Sequence, residues 1–77
     1  MVEAYLLINC ESGKAGLAAK SMTKQKGVKS AKIVTGLHDI VALVEGESLS
    51  ALAMTIVDKI QKLDGVSRTV TMVCVEL

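Results

Sequence analysis

Residues 33–45 read IVTGLHDIVALVE. Two runs of β-branched and aliphatic residues flank a short break, which contains Gly36, Leu37, His38 and Asp39. Glycine and aspartate are typical turn residues, because glycine adopts positive φ freely and aspartate hydrogen-bonds nearby backbone groups. The stretch therefore predicts two neighbouring strands joined by a turn, and the second strand, IVALVE, is apolar on both faces.

Two more strands are predicted towards the ends of the chain. Residues 2–10, VEAYLLINC, place Ala4, Leu6 and Ile8 on one face and Tyr5 and Leu7 on the other. This strand is therefore also apolar on both faces, which is typical of a central strand. Residues 66–76 form the last predicted strand, and residues 28–35 form the more polar strand that precedes the turn.

Two helices are predicted between these strands. In residues 14–25 an apolar stripe recurs at helical spacing, at Ala15, Ala18, Ala19 and Met22. A longer stripe follows Ser48, a predicted N-cap, and consists of Leu49, Leu52, Ala53, Ile56, Ile60 and Leu63. Gly27 and Gly65 are predicted to end the two helices, because glycine is the preferred residue just past a helix C-terminus.

The resulting order is βαββαβ in a single domain of residues 1–77. Right-handed crossovers turn this order into a four-stranded antiparallel sheet of order 4-1-3-2 with both helices on one face, the ferredoxin-like α+β class. Because the central strands are apolar on both faces, the face without helices needs a cover. We expect a homodimer that packs sheet against sheet, as in a dimeric αβ-barrel-like assembly.

Composition narrows the possible classes of function. The 77 residues are 51% hydrophobic, with no Phe, no Trp and one Tyr, and the net charge is +1. Modules that bind nucleic acids use aromatic stacking and positive charge, so no direct nucleic-acid partner is expected. The longest apolar runs have five residues, against about 20 for a membrane span. With no signal peptide visible, we expect a cytoplasmic protein without a membrane partner.

The two cysteines predict neither a metal site nor a disulfide. Cys10 and Cys74 form no CxxC motif, and no histidine is near either of them in the sequence. We therefore expect no metal and no other cofactor. In the predicted topology the two cysteines lie at opposite ends of the sheet, about 26 Å apart, which is far beyond disulfide distance.

The turn and the start of the last strand share one end of the predicted sheet. An amino-acid zwitterion would find donors for its carboxylate in the turn amides and in the hydroxyls of Thr69 and Thr71. Its ammonium would find a carboxylate in Asp39. The strand before the turn and the last strand are opposite edges, roughly 14 Å apart, so these groups can share a ligand only across a subunit interface. The candidate ligand contacts are Gly36, Leu37, His38, Asp39, Thr69 and Thr71.

Two other interpretations of the turn stay open. It could simply join two strands, with Asp39 bonding its own turn. It could also hold the acid–base pair of a small dimeric αβ-barrel enzyme, formed by His38 and Asp39. Hydrolytic or acyl-transfer chemistry needs a nucleophile, however, and neither cysteine is placed to act as one. We therefore predict no catalytic residue.

Three stretches in this order resemble the Lrp/AsnC regulators: AYLLINCESGKA, GVKSAKIVTGLHDIVALVE and IQKLDGVSRTVTMV. The resemblance is to their ligand-binding RAM domain, an ACT-like module, in its stand-alone form without a helix-turn-helix, and it covers essentially the whole chain. It implies a βαββαβ fold, dimers formed through the sheets, and rings of dimers. It also implies that amino acids bind between dimers, at the turn between the second and third strands.

On the matching positions, the resemblance implies that Gly36 and Asp39 contact the ligand from the turn and that Thr69 and Thr71 contribute hydroxyls. The family commonly has an aromatic residue where this chain has His38, which is expected to change the preferred ligand or to add pH dependence. Stand-alone members resemble effector sensors or modulators that co-assemble with full-length regulators. The chain is thus predicted to be a non-enzymatic, homo-oligomeric, amino-acid-binding module of transcription regulation. The alternative within this family is an assembly module that binds no ligand.

Overall fold

The predicted order of strands and helices is confirmed by the computed structural model, which describes residues 1–76. The strands are β1 (Val2–Cys10), β2 (Val28–Ile33), β3 (Ile40–Gly46) and β4 (Val66–Val73). The helices are α1 (Ala15–Thr23) and α2 (Leu49–Thr55), and α2 continues into a π-helical turn at Ile56–Ile60. The elements therefore follow one another as βαββαβ.

The strands form one antiparallel sheet in the order β2-β3-β1-β4, which is the predicted order counted from the other edge. Ile8 of β1 is paired with Ile40 of β3 on one side and with Thr69 of β4 on the other. This register places the start of β3 and the start of β4 on either side of the last residues of β1. The ferredoxin-like α+β fold is thereby confirmed.

The core lies between the helices and one face of the sheet. Alternate residues of the central strands are fully buried there, among them Leu6, Ile8 and Ile40, and they pack against Met22 of α1 and Leu52 of α2. Burying each such side chain contributes about 1.5–3 kcal/mol. The strict alternation along β1 and β3 therefore fixes which face of the sheet the helices cover.

The second helix departs from its predicted apolar stripe in two ways. Leu52, Ile56 and Ile60 are buried as expected, but Leu49 is 59% exposed and Ala53 is also exposed. In a regular helix of 3.6 residues per turn, residues four apart, such as Leu52, Ile56 and Ile60, rotate progressively around the helix axis. The wider π-helical turn brings Ile60 back towards the sheet. Leu49 and Ala53 lie in the regular part of the helix, before the π-helical turn, and both line an apolar groove beside β4.

Two strands are shorter than predicted. β2 ends at Ile33 instead of residue 35, although the N–H of Val34 still donates to the carbonyl of Asp39 across the turn, at 2.9 Å. β4 ends at Val73 instead of residue 76. Its partner β1 begins at Val2, and the last contact between them is the 2.9 Å hydrogen bond from the N–H of Cys74 to the carbonyl of Glu3.

The face of the sheet without helices is apolar and open. Tyr5 is 43% exposed, Val70 38% and Met72 48%, and Tyr5 is paired with Met72 on β4 and with Leu43 on β3. Leu7 and Val41 are half-buried at the next position along the same face. The predicted need for a cover on this face is thus visible in the structure. Among residues 1–76, no helix has the length and hydropathy that crossing a bilayer requires.

Candidate functional site

The turn between β2 and β3 is closed by backbone hydrogen bonds at its end. The N–H of Val34 donates to the carbonyl of Asp39, and the N–H of Asp39 donates to the carbonyl of Ile8, both at 2.9 Å. Gly36 has a φ of 127°, a conformation that side-chain-bearing residues rarely adopt. Nothing lies within 4 Å of the position that a Cβ of Gly36 would occupy. Gly36 is therefore needed for its backbone conformation, and the space beside it is open.

Asp39 does more than bond its own turn. Its Oδ2 accepts a hydrogen bond from the backbone N–H of Cys10 at 2.7 Å, across 29 residues of sequence. A hydrogen bond to a charged acceptor is shorter and stronger than one between neutral groups. The other carboxylate oxygen, Oδ1, has no hydrogen-bond partner in the described part of the chain. Asp39 therefore attaches the turn to the end of β1 with one oxygen and keeps the second one available.

Asn9 holds the turn from the other side, and it is not among the residues predicted from the sequence. Its Nδ2 donates to the carbonyl of Leu37 at 2.9 Å, and its Oδ1 lies 2.9 Å from Nδ1 of His38. The signal available in the sequence was a polar residue at the end of an apolar strand, level with the turn. Leu37 itself is 89% exposed, so the turn is held through its backbone and through His38.

The start of β4 carries Thr69 and Thr71 on the helix side of the sheet. Thr69 is paired with the buried Ile8, and Thr71 is paired with the buried Leu6, two residues further from the turn. The Oγ1 of Thr69 accepts a hydrogen bond from Nε2 of Gln61 at 3.0 Å. Gln61 follows the π-helical turn directly, so this turn determines which side chain reaches Thr69.

The turn and β4 are joined through Asn9. The register between β1 and β4 shifts after Asn9, which leaves Ser67 as an extra residue in β4. The Oγ of Ser67 donates to the carbonyl of Asn9 at 3.0 Å, while the side chain of Asn9 holds the turn. Among residues 1–76, no hydrogen bond joins the turn directly to Thr69 or Thr71. The two halves of the predicted site therefore share one end of the sheet but make no direct contact.

Hydrogen-bond donors remain available at the turn. The backbone N–H groups of residues 35–38 donate to no residue within 1–76. Asp39, whose Oδ1 has no partner, follows them directly in the sequence, so donors and an anionic acceptor are close together along the chain. A carboxylate with an adjacent ammonium group needs this combination.

The thiol of Cys10 is a poor nucleophile. Burial raises its pKa, and the neighbouring charge of Asp39 raises it further, so little of the reactive thiolate forms near neutral pH. Cys10 and Cys74 are both free thiols. Within residues 1–76, no group of three or more His, Cys, Asp or Glu side chains is arranged to hold a metal ion.

Two surface grooves adjoin β4, one at its start and one along its second half. One, of about 380 Å³, is polar and is lined by Gln61, Val66, Ser67, Arg68 and Thr69. The other, of about 250 Å³, is apolar, lies between α2 and β4, and includes Thr71. Thr69 and Thr71 thus line different grooves in the single chain.

Comparisons with known proteins agree with this architecture. Residues 3–77 match the family model described as the Lrp/AsnC ligand binding domain. An uncharacterised HTH-type transcriptional regulator of Pyrococcus horikoshii, PH0140, is 31% identical over 70 residues, which are 91% of this chain and 44% of that protein. The chain therefore spans less than half the length of this relative.

Two solved structures share the fold. The hypothetical protein PHS023 from Pyrococcus horikoshii superposes with a TM-score of 0.92 and 30% identity, and the match covers 100% of this chain and 93% of that one. The transcriptional regulator NMB0573 of Neisseria meningitidis, solved as a complex with L-Met, has a TM-score of 0.85 and 18% identity. That match covers 97% of this chain and 50% of the regulator, and at this identity it shows a shared fold only.

Proposed function

The chain belongs to the family of Lrp/AsnC ligand-binding domains, and on that premise we propose that it is an amino-acid sensor and assembly module of transcription regulation. The observation that carries the proposal is the turn at residues 35–39. The backbone N–H groups of residues 35–38 are without protein partners among residues 1–76, and these residues directly precede Asp39, whose Oδ1 has no hydrogen-bond partner there either. The amides would receive the carboxylate of an amino acid, and Asp39 would receive its ammonium group.

The names of the relatives support a regulatory role. PH0140 is named as a transcriptional regulator, and NMB0573, of the same fold, was solved with L-Met. We propose that this chain likewise binds an amino acid, without catalysis. The pKa of Cys10 is raised, so the chain lacks an activated thiol beside His38 and Asp39. These features disfavour the small αβ-barrel enzyme that the sequence left open.

We propose that the binding unit is an oligomer. Thr69 and Thr71 line grooves at the β4 edge, and no hydrogen bond links them to the turn within one described chain. A neighbouring subunit could bring its β4 edge to the turn, so that both segments contact one ligand. The open apolar face around Tyr5 and Met72 supports a sheet-to-sheet homodimer as the unit from which a ring assembles.

Co-assembly with longer regulators is the proposed way in which the module acts. The match to PHS023 covers 93% of that protein's chain, so PHS023 is a protein only slightly longer than this chain that adopts the same fold. A module of this kind would insert into rings formed by full-length Lrp/AsnC regulators and change their response to the effector. It would do so without contacting DNA itself, since its net charge is only +1 and it has one aromatic residue.

A thermal-shift panel of the twenty L-amino acids tests the ligand. At 100 times its dissociation constant, a ligand should stabilise the protein by about 2.7 kcal/mol. We expect at least one amino acid to stabilise the wild type and to lose this effect in Asp39→Ala. Asp58→Ala, which removes an exposed carboxylate on the second helix, should respond like the wild type.

A ligand-free assembly module is the second candidate, and the engagement of Asp39 with Cys10 favours it, because that contact gives the carboxylate a structural role without a ligand. It predicts no shift from any of the twenty amino acids at millimolar concentration. Under the same hypothesis, mixing with a full-length family member would still give mixed oligomers in native mass spectrometry.

A further inference from the structure

The orientation of the Asn9 amide is determined by its contacts. Its nitrogen lies 2.9 Å from the carbonyl oxygen of Leu37, which can only accept a hydrogen bond, so the amide NH₂ must face that carbonyl. The amide oxygen then faces Nδ1 of His38 at 2.9 Å. Because an amide oxygen can only accept, Nδ1 of His38 must carry a hydrogen.

This assignment determines the role of the second ring nitrogen. A neutral imidazole carries one hydrogen, so a hydrogen on Nδ1 leaves Nε2 as an acceptor. Nε2 has no hydrogen-bond partner among residues 1–76. In each of those residues that is not exposed as a whole, every fully buried side-chain nitrogen or oxygen atom has a hydrogen-bond partner. His38 is half-buried, so Nε2 must reach solvent.

We propose that Asn9 is a positioning residue that holds neutral His38 in its Nδ1–H tautomer, so that Nε2 accepts a hydrogen bond from the ammonium group of the ligand. The ligand part of this inference rests on the proposed amino-acid binding; the tautomer part does not. His38 thereby contributes an acceptor for the ammonium group of the ligand, a hydrogen bond that an aromatic side chain without a ring nitrogen could not make.

The charges near the ring are mixed. Asp39 follows His38 directly and keeps Oδ1 available, whereas Arg68, which is paired with Asn9 across the sheet, is a cation. The ionisable groups on the turn and on the neighbouring parts of the sheet are Asp39, Cys10, Glu11, Lys32 and Arg68. Protonation of His38 would turn Nε2 into a donor and add a positive charge, which repels an ammonium ion.

Nitrogen NMR on the full chain tests the tautomer directly. His38 is the only histidine, so the long-range ¹H–¹⁵N correlations of the ring are unambiguous. At pH 8 we expect the Nδ1–H tautomer to dominate in the wild type and to lose its dominance in Asn9→Leu. Asn9→Asp keeps an acceptor for Nδ1–H and should restore it. A dominant Nε2–H form in the wild type, or a tautomer unchanged in Asn9→Leu, would overturn the positioning role.

The ligand part is tested by titrating each of the twenty L-amino acids at pH 8 and pH 5.5. We expect the amino acid that moves the His38 resonances to bind more weakly at pH 5.5 than at pH 8, because a protonated ring offers no acceptor. The His38→Phe variant should bind this amino acid more weakly at pH 8. It should also lose the part of the pH dependence of binding that His38 causes, so that any pH dependence left in the variant comes from other groups such as Asp39. Equal affinity at both pH values, or unchanged binding by His38→Phe, would refute the acceptor role.

The two proposals fail in different ways. If no amino acid binds at either pH, the proposed function and the ligand part of this inference are both wrong. The tautomer of His38 and its response to Asn9→Leu then still decide whether Asn9 positions the ring. If an amino acid binds independently of His38, the proposed function stands and only the acceptor role is refuted.

Discussion

The carboxylate of Asp39 accepts a 2.7 Å hydrogen bond from the backbone N–H of Cys10, two residues that lie 29 positions apart in the chain. This contact joins the β2–β3 turn to the end of the central strand β1. It also means that the residue proposed to receive the ammonium group of the ligand has a structural role. Substitutions of Asp39 must therefore be chosen to separate the two roles.

The first prediction separates them by comparing Asp39→Asn with Asp39→Ala. Alanine leaves the half-buried N–H of Cys10 without its acceptor, which should cost about 1–3 kcal/mol of unfolding free energy. Asparagine retains an amide oxygen that can accept from Cys10, so it should cost less than about 1 kcal/mol. Both variants remove the negative charge and should lose amino-acid binding. Urea unfolding at fixed protein concentration measures the stabilities.

Asp58→Ala is the control for this comparison. Its carboxylate is exposed and lies 3.9 Å from Lys62 in a surface ion pair, so its removal should change the stability by less than about 0.5 kcal/mol. Equal losses in Asp39→Asn and Asp39→Ala would show that charge, and not the hydrogen bond to Cys10, is what stabilises the turn.

The second prediction concerns the reactivity of Cys10. Burial and, to a lesser degree, Asp39 raise the pKa of this thiol, so the thiolate forms only at higher pH than in an unfolded peptide. In a Cys74→Ser background, the midpoint of the pH–rate profile for iodoacetamide should lie above that of a cysteine peptide. Asp39→Asn should lower the midpoint without bringing it to the peptide value, because burial remains.

The midpoint, and not the absolute rate, is the quantity to compare, because burial slows alkylation even when the pKa is unchanged. A midpoint that does not respond to Asp39→Asn would mean that Asp39 has no electrostatic effect on Cys10. A midpoint equal to that of the peptide would contradict the raised pKa altogether.

The fold could be predicted from the sequence because it depends on repeating patterns. The two-residue alternation in β1 and β3 identifies the buried face. The predicted helix ends at Gly27 and Gly65 were wrong, because the helices end at Thr23 and Ile60 and the glycines lie in the turns that lead into β2 and β4.

The departures lie at the ends of strands and in the second helix, where no periodic pattern in the sequence predicts them. β2 ends two residues early, at Ile33, and Leu49 and Ala53, which precede the π-helical turn, are exposed.

The candidate site was less accessible to sequence reasoning. The turn residues were identifiable from their composition. The side chain of Asn9, however, bonds residues that are 28 and 29 positions away in the chain, and that of Gln61 bonds a residue eight positions away. Neither belongs to a periodic pattern, and their partners become neighbours only when the sheet register is known. The orientation of His38 likewise depends on Asn9, which explains why its role could not be assigned from the turn sequence alone.

The third prediction compares two glycines that both have positive φ. Gly65 has a φ of 91°, and a Cβ there would lie 2.7 Å from Cβ of Lys14. Gly13 has a φ of 79°, with nothing within 4 Å of a Cβ. Gly13→Ala should therefore cost only backbone strain, about 1–2 kcal/mol. Gly65→Ala should cost about 1–3 kcal/mol more, because the clash is with the base of a side chain that cannot rotate away.

Denaturant unfolding of both alanine variants measures this difference. The clash should also disturb the 2.8 Å hydrogen bond from the N–H of Glu11 to the carbonyl of Gly65, which amide hydrogen exchange at Glu11 reports. If the two variants are equally destabilised and the exchange at Glu11 is unchanged, the close approach of Lys14 to Gly65 is not a constraint on the fold.

The fourth prediction tests whether the proposed dimer forms through the open face of the sheet, using two exposed methionines. Met72 is 48% exposed on the open face of the sheet, and Met54 is 63% exposed on the second helix. In a two-fold dimer through the sheets, Met72→Lys places two charges in one apolar interface, since each subunit contributes one. It should raise the dimer dissociation constant at least tenfold, whereas Met54→Lys should leave it unchanged. Light scattering coupled to size-exclusion chromatography measures both, and a larger effect of Met54→Lys would place the main interface on the helices instead of the sheet.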